Sequence, residues 1–119
     1  MEVTYPRQLV YFTYLATPVQ EGTAYIFFAM DHYSEFVFQL GVEPNNSEEA
    51  TLRQLKKLMK NKGFKTSPKK PFTLMTSCGK DFKDKMQAAI RPYNGNLIID
   101  IETTLEKTHD FAGYLTSKY

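Results

Sequence analysis

Two stretches decide the fold: Ala24-Tyr-Ile-Phe-Phe-Ala-Met-Asp31-His-Tyr-Ser34-Glu-Phe-Val-Phe38 and, further on, Leu74-Met-Thr-Ser77-Cys-Gly79-Lys-Asp-Phe82. The first reads as a hairpin. Thr23 to Met30 is nearly all apolar, the pattern of a strand covered on both faces. Asp31-His32-Tyr33-Ser34 is a polar break of turn size, and Glu35 to Val42 resumes with Phe36, Phe38 and Leu40 at period two. In the second stretch a short strand, Phe72 to Thr76, runs into Ser77-Cys78-Gly79. Working outward, Gln8 to Thr17 is rich in Val, Tyr, Phe and Leu and stops at Thr17-Pro18, which gives a first strand. Gln20-Glu21-Gly22 is a turn, and Pro44-Asn45-Asn46 ends the third strand.

Ser47 then reads as an N-cap, with Glu48 and Glu49 in the first turn of a helix. Leu52, Leu55, Leu58 and Met59 form its apolar stripe, Lys60 and Lys62 fall in the last turn, and Gly63 is placed to be the C′ residue. Thr66 to Pro71 is a loop. Phe82, Met86, Ala89 and Ile90 repeat at helical spacing in a helix from Asp81 to Ile90, which Arg91-Pro92 closes. Tyr93-Asn94-Gly95 is a turn and Asn96 to Ile101 a strand, on which Asp100 and Glu102 share one side. Thr103 or Thr104 caps a last helix with Leu105, Thr108, Ala112 and Leu115 on one face. The order is β-β-β-α-β-α-β-α. Three antiparallel strands followed by βα units that add parallel strands to the same sheet define an α/β fold.

The chain has 119 residues, enough for one domain with one core, spanning 1–119. A net charge of +2 is too small to imply a nucleic-acid partner by itself. The single cysteine, Cys78, excludes an intrachain disulfide and a cysteine-rich zinc site. No apolar run is long enough to span a membrane and no signal peptide follows Met1, so a cytoplasmic protein with no membrane partner is expected.

The two opening stretches resemble the core of retroviral-type integrases and DDE transposases, of the RNase H-like superfamily. That family has a hairpin of the form YLFVAxDxxSRFV and a strand ending L-T-D-N-G-x-x-F. The resemblance runs from about Tyr11 onward. It implies a mixed five-stranded sheet of order 3-2-1-4-5, with only the second strand antiparallel to its neighbours. It also implies two divalent ions, Mg²⁺ or Mn²⁺, held by carboxylates to cut and join DNA.

The family's carboxylates do not carry over. Similar transposases place the first Asp in a strand like H-I-D-I-K-x-L-P; the matching stretch here is Tyr11 to Pro18, and Thr13 takes the Asp place. The second Asp maps to Ser77, with Leu74, Gly79 and Phe82 matching around it. The third acid, normally Glu, is expected near Phe111 to Gly113, where only Asp110 is close. Thr13, Ser77 and Asp110 are therefore expected as vestigial positions, with no catalytic residue, no metal ligand and no cofactor. Each also has an ordinary reading, as strand residue, turn residue and exposed helix carboxylate. Asp31, which looks catalytic by eye, is expected to shape the hairpin turn through bonds to the backbone.

From Thr51 to Lys70 the chain carries Arg53, Lys56, Lys57, Lys60, Lys62, Lys65, Lys69 and Lys70 and no acid. Of these, Arg53, Lys56, Lys57, Lys60, Lys69 and Lys70 are the expected contacts to DNA phosphates. A solvated helix face is the bland alternative. The expected protein is a catalytically inactive integrase- or transposase-like domain from a mobile element, assembling as a homodimer and contacting DNA weakly. The rival is an active metal-dependent nuclease or strand-transferase using Asp31, Asp81 and Asp110 with Mg²⁺ or Mn²⁺. A third reading is an unrelated α+β binding module with the same element order, which strand order distinguishes.

Overall fold

Strands β1 (Leu9–Val19) and β2 (Gly22–Asp31) form a long hairpin in a computed structural model that describes residues 2–64 and 70–118. Val19 pairs with Gly22, so Gln20-Glu21 is a two-residue turn. Gly22 has φ +140°, a conformation side chains disfavour. Strand β3 (Val37–Glu43) lies antiparallel to β2, two residues later than the expected start at Glu35. Phe27 pairs with Gly41 and Phe28 with Gln39, which leaves Leu40 as a bulge. Strand β4 (Phe72–Thr76) is parallel to β1, and β5 (Gly95–Ile99) is parallel to β4. The sheet order β3-β2-β1-β4-β5 is the expected one, with β2 the strand that runs against its neighbours.

Three helices cover this sheet among the described residues: α1 (Glu48–Met59), α2 (Lys83–Ile90) and α3 (Ile101–Lys118). On one face Val10, Phe12, Phe27, Ala29, Phe38, Leu40, Phe72 and Leu74 pack against Leu55, Leu58 and Met59 of α1 and Met86 and Ile90 of α2. On the other, Ile26 and Phe28 pack against Leu115, with Leu15 and Phe111 beside them. Strand alternation thus sends Val10 and Phe12 to the α1/α2 side and Tyr11, Thr13 and Leu15 to the α3 side.

Local chemistry sets the helix ends. Ser47 caps α1 as expected, its hydroxyl accepting from the Ala50 N–H at 3.2 Å. Lys60 is the C-cap, so Gly63 lies beyond the C′ position; Asn61 makes the turn instead, its Oδ1 accepting from the Gly63 and Phe64 amides. A 3₁₀ turn, Lys80–Phe82, precedes α2, which begins two residues after the expected Asp81. Asp100 is not on β5, and neither is Glu102. Asp100 caps α3, accepting from the Thr103 N–H and Oγ1 at 3.0 Å each, a role expected of Thr103 or Thr104. The inward stripe of α3 is Thr104, Thr108 and Leu115, with Phe111 half-buried; Leu105, expected inside, is 50% exposed. Phe36, expected in the third strand, is exposed ahead of β3. The loop expected from Thr66, together with Lys65 and Lys69, lies mostly outside the described residues.

Candidate functional site

The parallel seam between β1 and β4 pairs Phe12 with Thr76, which brings the next residues, Thr13 and Ser77, side by side. Their hydroxyls are hydrogen-bonded at 2.5 Å. Thr13 is 1% exposed, on the face that α3 covers, and Ser77 is half-buried where the chain leaves β4. One residue back, the Thr76 hydroxyl donates to the Phe12 carbonyl at 2.7 Å and accepts from the Cys78 N–H at 3.2 Å. This locks the turn after β4 onto β1. The Cys78 thiol lies 3.1 Å from the same hydroxyl, and burial pushes its pKa up to about 11.

Helix α3 reaches this seam because a single residue, Asp100, separates it from β5, and the Asp100 N–H donates back to the Thr76 carbonyl at 3.0 Å. Its first inward residues are Thr104 and Thr108, both fully buried. The Thr108 hydroxyl donates to the Thr104 carbonyl at 2.8 Å, whereas Thr104 Oγ1 is buried without a partner. The covered end of the seam is thus lined with threonine and serine hydroxyls. Sequence reading missed Thr104; its signal was the spacing Thr104, Thr108, Phe111, Leu115, which is in phase on one helix face. Asp110, the expected third position, is exposed on α3, off that inward stripe.

Asp31 is buried at 1% exposure. Its Oδ1 accepts from the Arg7 N–H at 2.7 Å, and its Oδ2 from the Ser34 N–H and hydroxyl at 3.0 and 2.6 Å. The Asp31 carbonyl also accepts from the Glu35 N–H at 2.8 Å, and Glu35 has φ +60°. The carboxylate therefore fastens the β2–β3 turn and the N-terminal segment, in keeping with its expected turn role. Asp81 is exposed in the 3₁₀ turn before α2. Among the described residues no three His, Cys, Asp or Glu side chains stand close enough to hold a metal ion, and Asp31, Asp81 and Asp110 form no such group. The side chains joined at the seam are neutral hydroxyls, a donor set that does not fit paired Mg²⁺.

The basic residues divide. The Arg53 guanidinium grips Glu43 with Nε at 3.0 Å and Nη2 at 2.9 Å, and Nη1 lies 3.5 Å from Glu49. Gln54 Nε2 adds a bond of 2.5 Å to Glu43 Oε2. Arg53, followed by Gln54, holds the Glu43 carboxyl below the ordinary range against the opposing effect of burial. Glu43 was missed in sequence because it ends a strand ten residues before its partner. Lys57 Nζ donates to the Leu40 carbonyl at 2.7 Å, and Lys70 Nζ sits 4.7 Å from the centre of the Tyr5 ring. Lys56 and Lys60 are exposed on the outer face of α1. Lys69 lies outside the described residues.

These features define an α/β fold whose mixed five-stranded sheet with flanking helices matches the RNase H-like fold of an integrase core. The chain is similar to the catalytic core domain of HTLV-2 integrase, solved in complex with magnesium in a dimeric form. The TM-score is 0.67 at 15% identity, over 96% of this chain and 72% of that one. At this identity the likeness is one of fold. No family model and no curated protein matches the chain. No helix among the described residues is long and apolar enough to cross a membrane.

Proposed function

We propose that the chain is a non-catalytic, integrase-like domain of mobile-element origin, working in the cytoplasm by assembly with a second copy and by weak contact with DNA. The observation that carries this reading is the Thr13–Ser77 hydroxyl pair. By the sequence resemblance, the two positions take the places of the family's first two metal-binding carboxylates. Two-metal phosphoryl chemistry needs anionic oxygens to bridge and charge-balance its cations. Two neutral hydroxyls bonded to one another supply neither the charge nor free lone pairs in the right number. Burial of Thr13 also leaves no approach for a hydrated cation.

The dimeric form of the HTLV-2 core supports the assembly half of the reading, as do the half-exposed apolar side chains of Ile101, Leu105 and Tyr114 on α3. The DNA half rests on Lys56 and Lys60, exposed on α1. The test is a plasmid-nicking and oligonucleotide-joining assay with Mg²⁺ or Mn²⁺. No product above background is expected. Cleavage that depends on the protein and disappears when Asp31, Asp81 or Asp110 is changed to Asn would overturn the reading.

A further inference from the structure

Among the described residues the sheet ends in β3 on one side and β5 on the other, and a helix side chain bonds a backbone group of each of these edge strands. On β5, even-numbered residues face β4: the Phe72 N–H donates to the Asn94 carbonyl, and the Asp100 N–H to the Thr76 carbonyl. Gly95 and Leu97 therefore point their backbone groups outward, away from the sheet. Both are taken by one side chain of α2. Gln87 Nε2 donates to the Gly95 carbonyl at 2.9 Å, and Gln87 Oε1 accepts from the Leu97 N–H at 2.8 Å. A carboxamide bonding in this donor-and-acceptor pattern copies what the N–H and C=O of one residue in a parallel sixth strand would do. On β3, the bulged Leu40 has no partner residue on β2, and its carbonyl is taken by Lys57 of α1.

We propose that Gln87 and Lys57 are edge guards, which hold β5 and β3 closed to strand addition by a second copy of this chain. Unguarded strand edges are templates for pairing, and proteins commonly blunt them with charge, proline or bulges. Strand β5, Gly95-Asn-Leu-Ile-Ile99, has none of these. It carries no charge to repel its own copy, and Ile98 is 37% exposed beside the edge. Its occupant, once Gln87 is removed, is the β5 strand of another molecule. On β3 the bulge and Lys57 act together. With both edges closed, self-association of the parent is left to the helix faces.

The experiment compares the parent with Gln87→Leu and Lys57→Met by light scattering over a concentration series, with hydrogen exchange at the Leu97 amide. In the parent, Leu97 is expected to exchange as slowly as Asn96 and Ile98, whose amides face β4. In Gln87→Leu it should exchange more than about tenfold faster at concentrations where the protein is dispersed. Both variants should keep the parent's far-UV circular dichroism yet grow past the parent's mass as concentration rises. Adding Ile98→Lys to Gln87→Leu should reverse the growth by placing charge at the edge. Variants that hold the parent's mass throughout, or growth that Ile98→Lys leaves unchanged, would overturn the proposal. Should a variant fail to fold, fast exchange of Leu97 in the parent overturns it and slow exchange supports it. The parent's own mass, monomer or dimer, tests only the assembly reading above, so the two failures are distinguishable.

Discussion

Thr13 Oγ1 and Ser77 Oγ share a hydrogen bond of 2.5 Å across the parallel β1–β4 seam, though the residues are 64 positions apart in sequence. Sheet order and register together produce this meeting. Any chain that pairs Phe12 with Thr76 in parallel places the next residue of each strand side by side. The chemistry of that place depends on which residues the sequence puts there, and here it puts two hydroxyls under a helix.

Asp31 holds the β2–β3 turn through three accepted bonds. Its replacement by Ala leaves the Arg7 and Ser34 amides unpartnered in a buried region, at a cost of about 2 kcal/mol. The expected outcome is a lowered denaturation midpoint in urea with an unchanged slope. An unaltered midpoint would deny Asp31 its structural role.

Glu43 gives the fold a pH dependence of definite sign. Its folded pKa is depressed by Arg53 and Gln54 below the ordinary value of 4.5. The stabilisation is therefore present above that unfolded value and is lost as pH falls through the lower folded one. Thermal melts from pH 7 to pH 2 should show Glu43→Gln less stable than the parent at neutral pH, with the gap closing only below about pH 4.5. A gap constant over that range contradicts the ion-pair account.

Much of the fold was legible in the sequence, because hydrophobic period and capping residues act locally. The run Thr23–Met30, the Ser47 cap and the β-β-β-α-β-α-β-α order each announced themselves. The interior of α3 did so only in part. Of the expected stripe Leu105, Thr108, Ala112 and Leu115, Thr108 and Leu115 face inward, but Leu105 is exposed and Thr104 takes the inward place beside it; the Thr108 hydroxyl bonds the carbonyl one turn back and so is buried cheaply. Asp100 looked like a strand residue until the one-residue β5–α3 connection made it a cap. The Thr13 and Ser77 positions were read by family resemblance, but their contact is a product of β1–β4 pairing that no local pattern encodes.

The basic face of α1 should split into two classes of residue. Lys56→Gln with Lys60→Gln should weaken duplex binding for all sequences alike. It should also flatten the salt dependence, whose log–log slope is about −0.9 per phosphate neutralised. Thermal stability should not move. Arg53→Gln should lower stability, because it strips Glu43 of its main partner. Fluorescence anisotropy with an arbitrary duplex, paired with melts, checks both; identical behaviour of the two variants would refute the division.

Cys78, with its thiol pushed up to about 11 by burial, should react slowly with iodoacetamide at pH 8 in the native protein and fully in denaturant. Mass spectrometry of timed samples reads this directly. Rapid native alkylation would mean that the turn after β4 opens.

The central proposal, that this integrase-like fold has lost the family's metal site, is tested most directly by the shift in melting temperature that Mn²⁺ produces in the parent and in Thr13→Asp/Ser77→Asp. Binding to the folded state alone raises stability by about 2.7 kcal/mol at one hundred times Kd. The double variant should melt below the parent without metal, since it buries adjacent carboxylates, and recover as Mn²⁺ is added; the parent should not respond. A parent whose melting temperature rises with Mn²⁺, and loses that rise when Asp31, Asp81 or Asp110 is changed to Asn, would contradict the account.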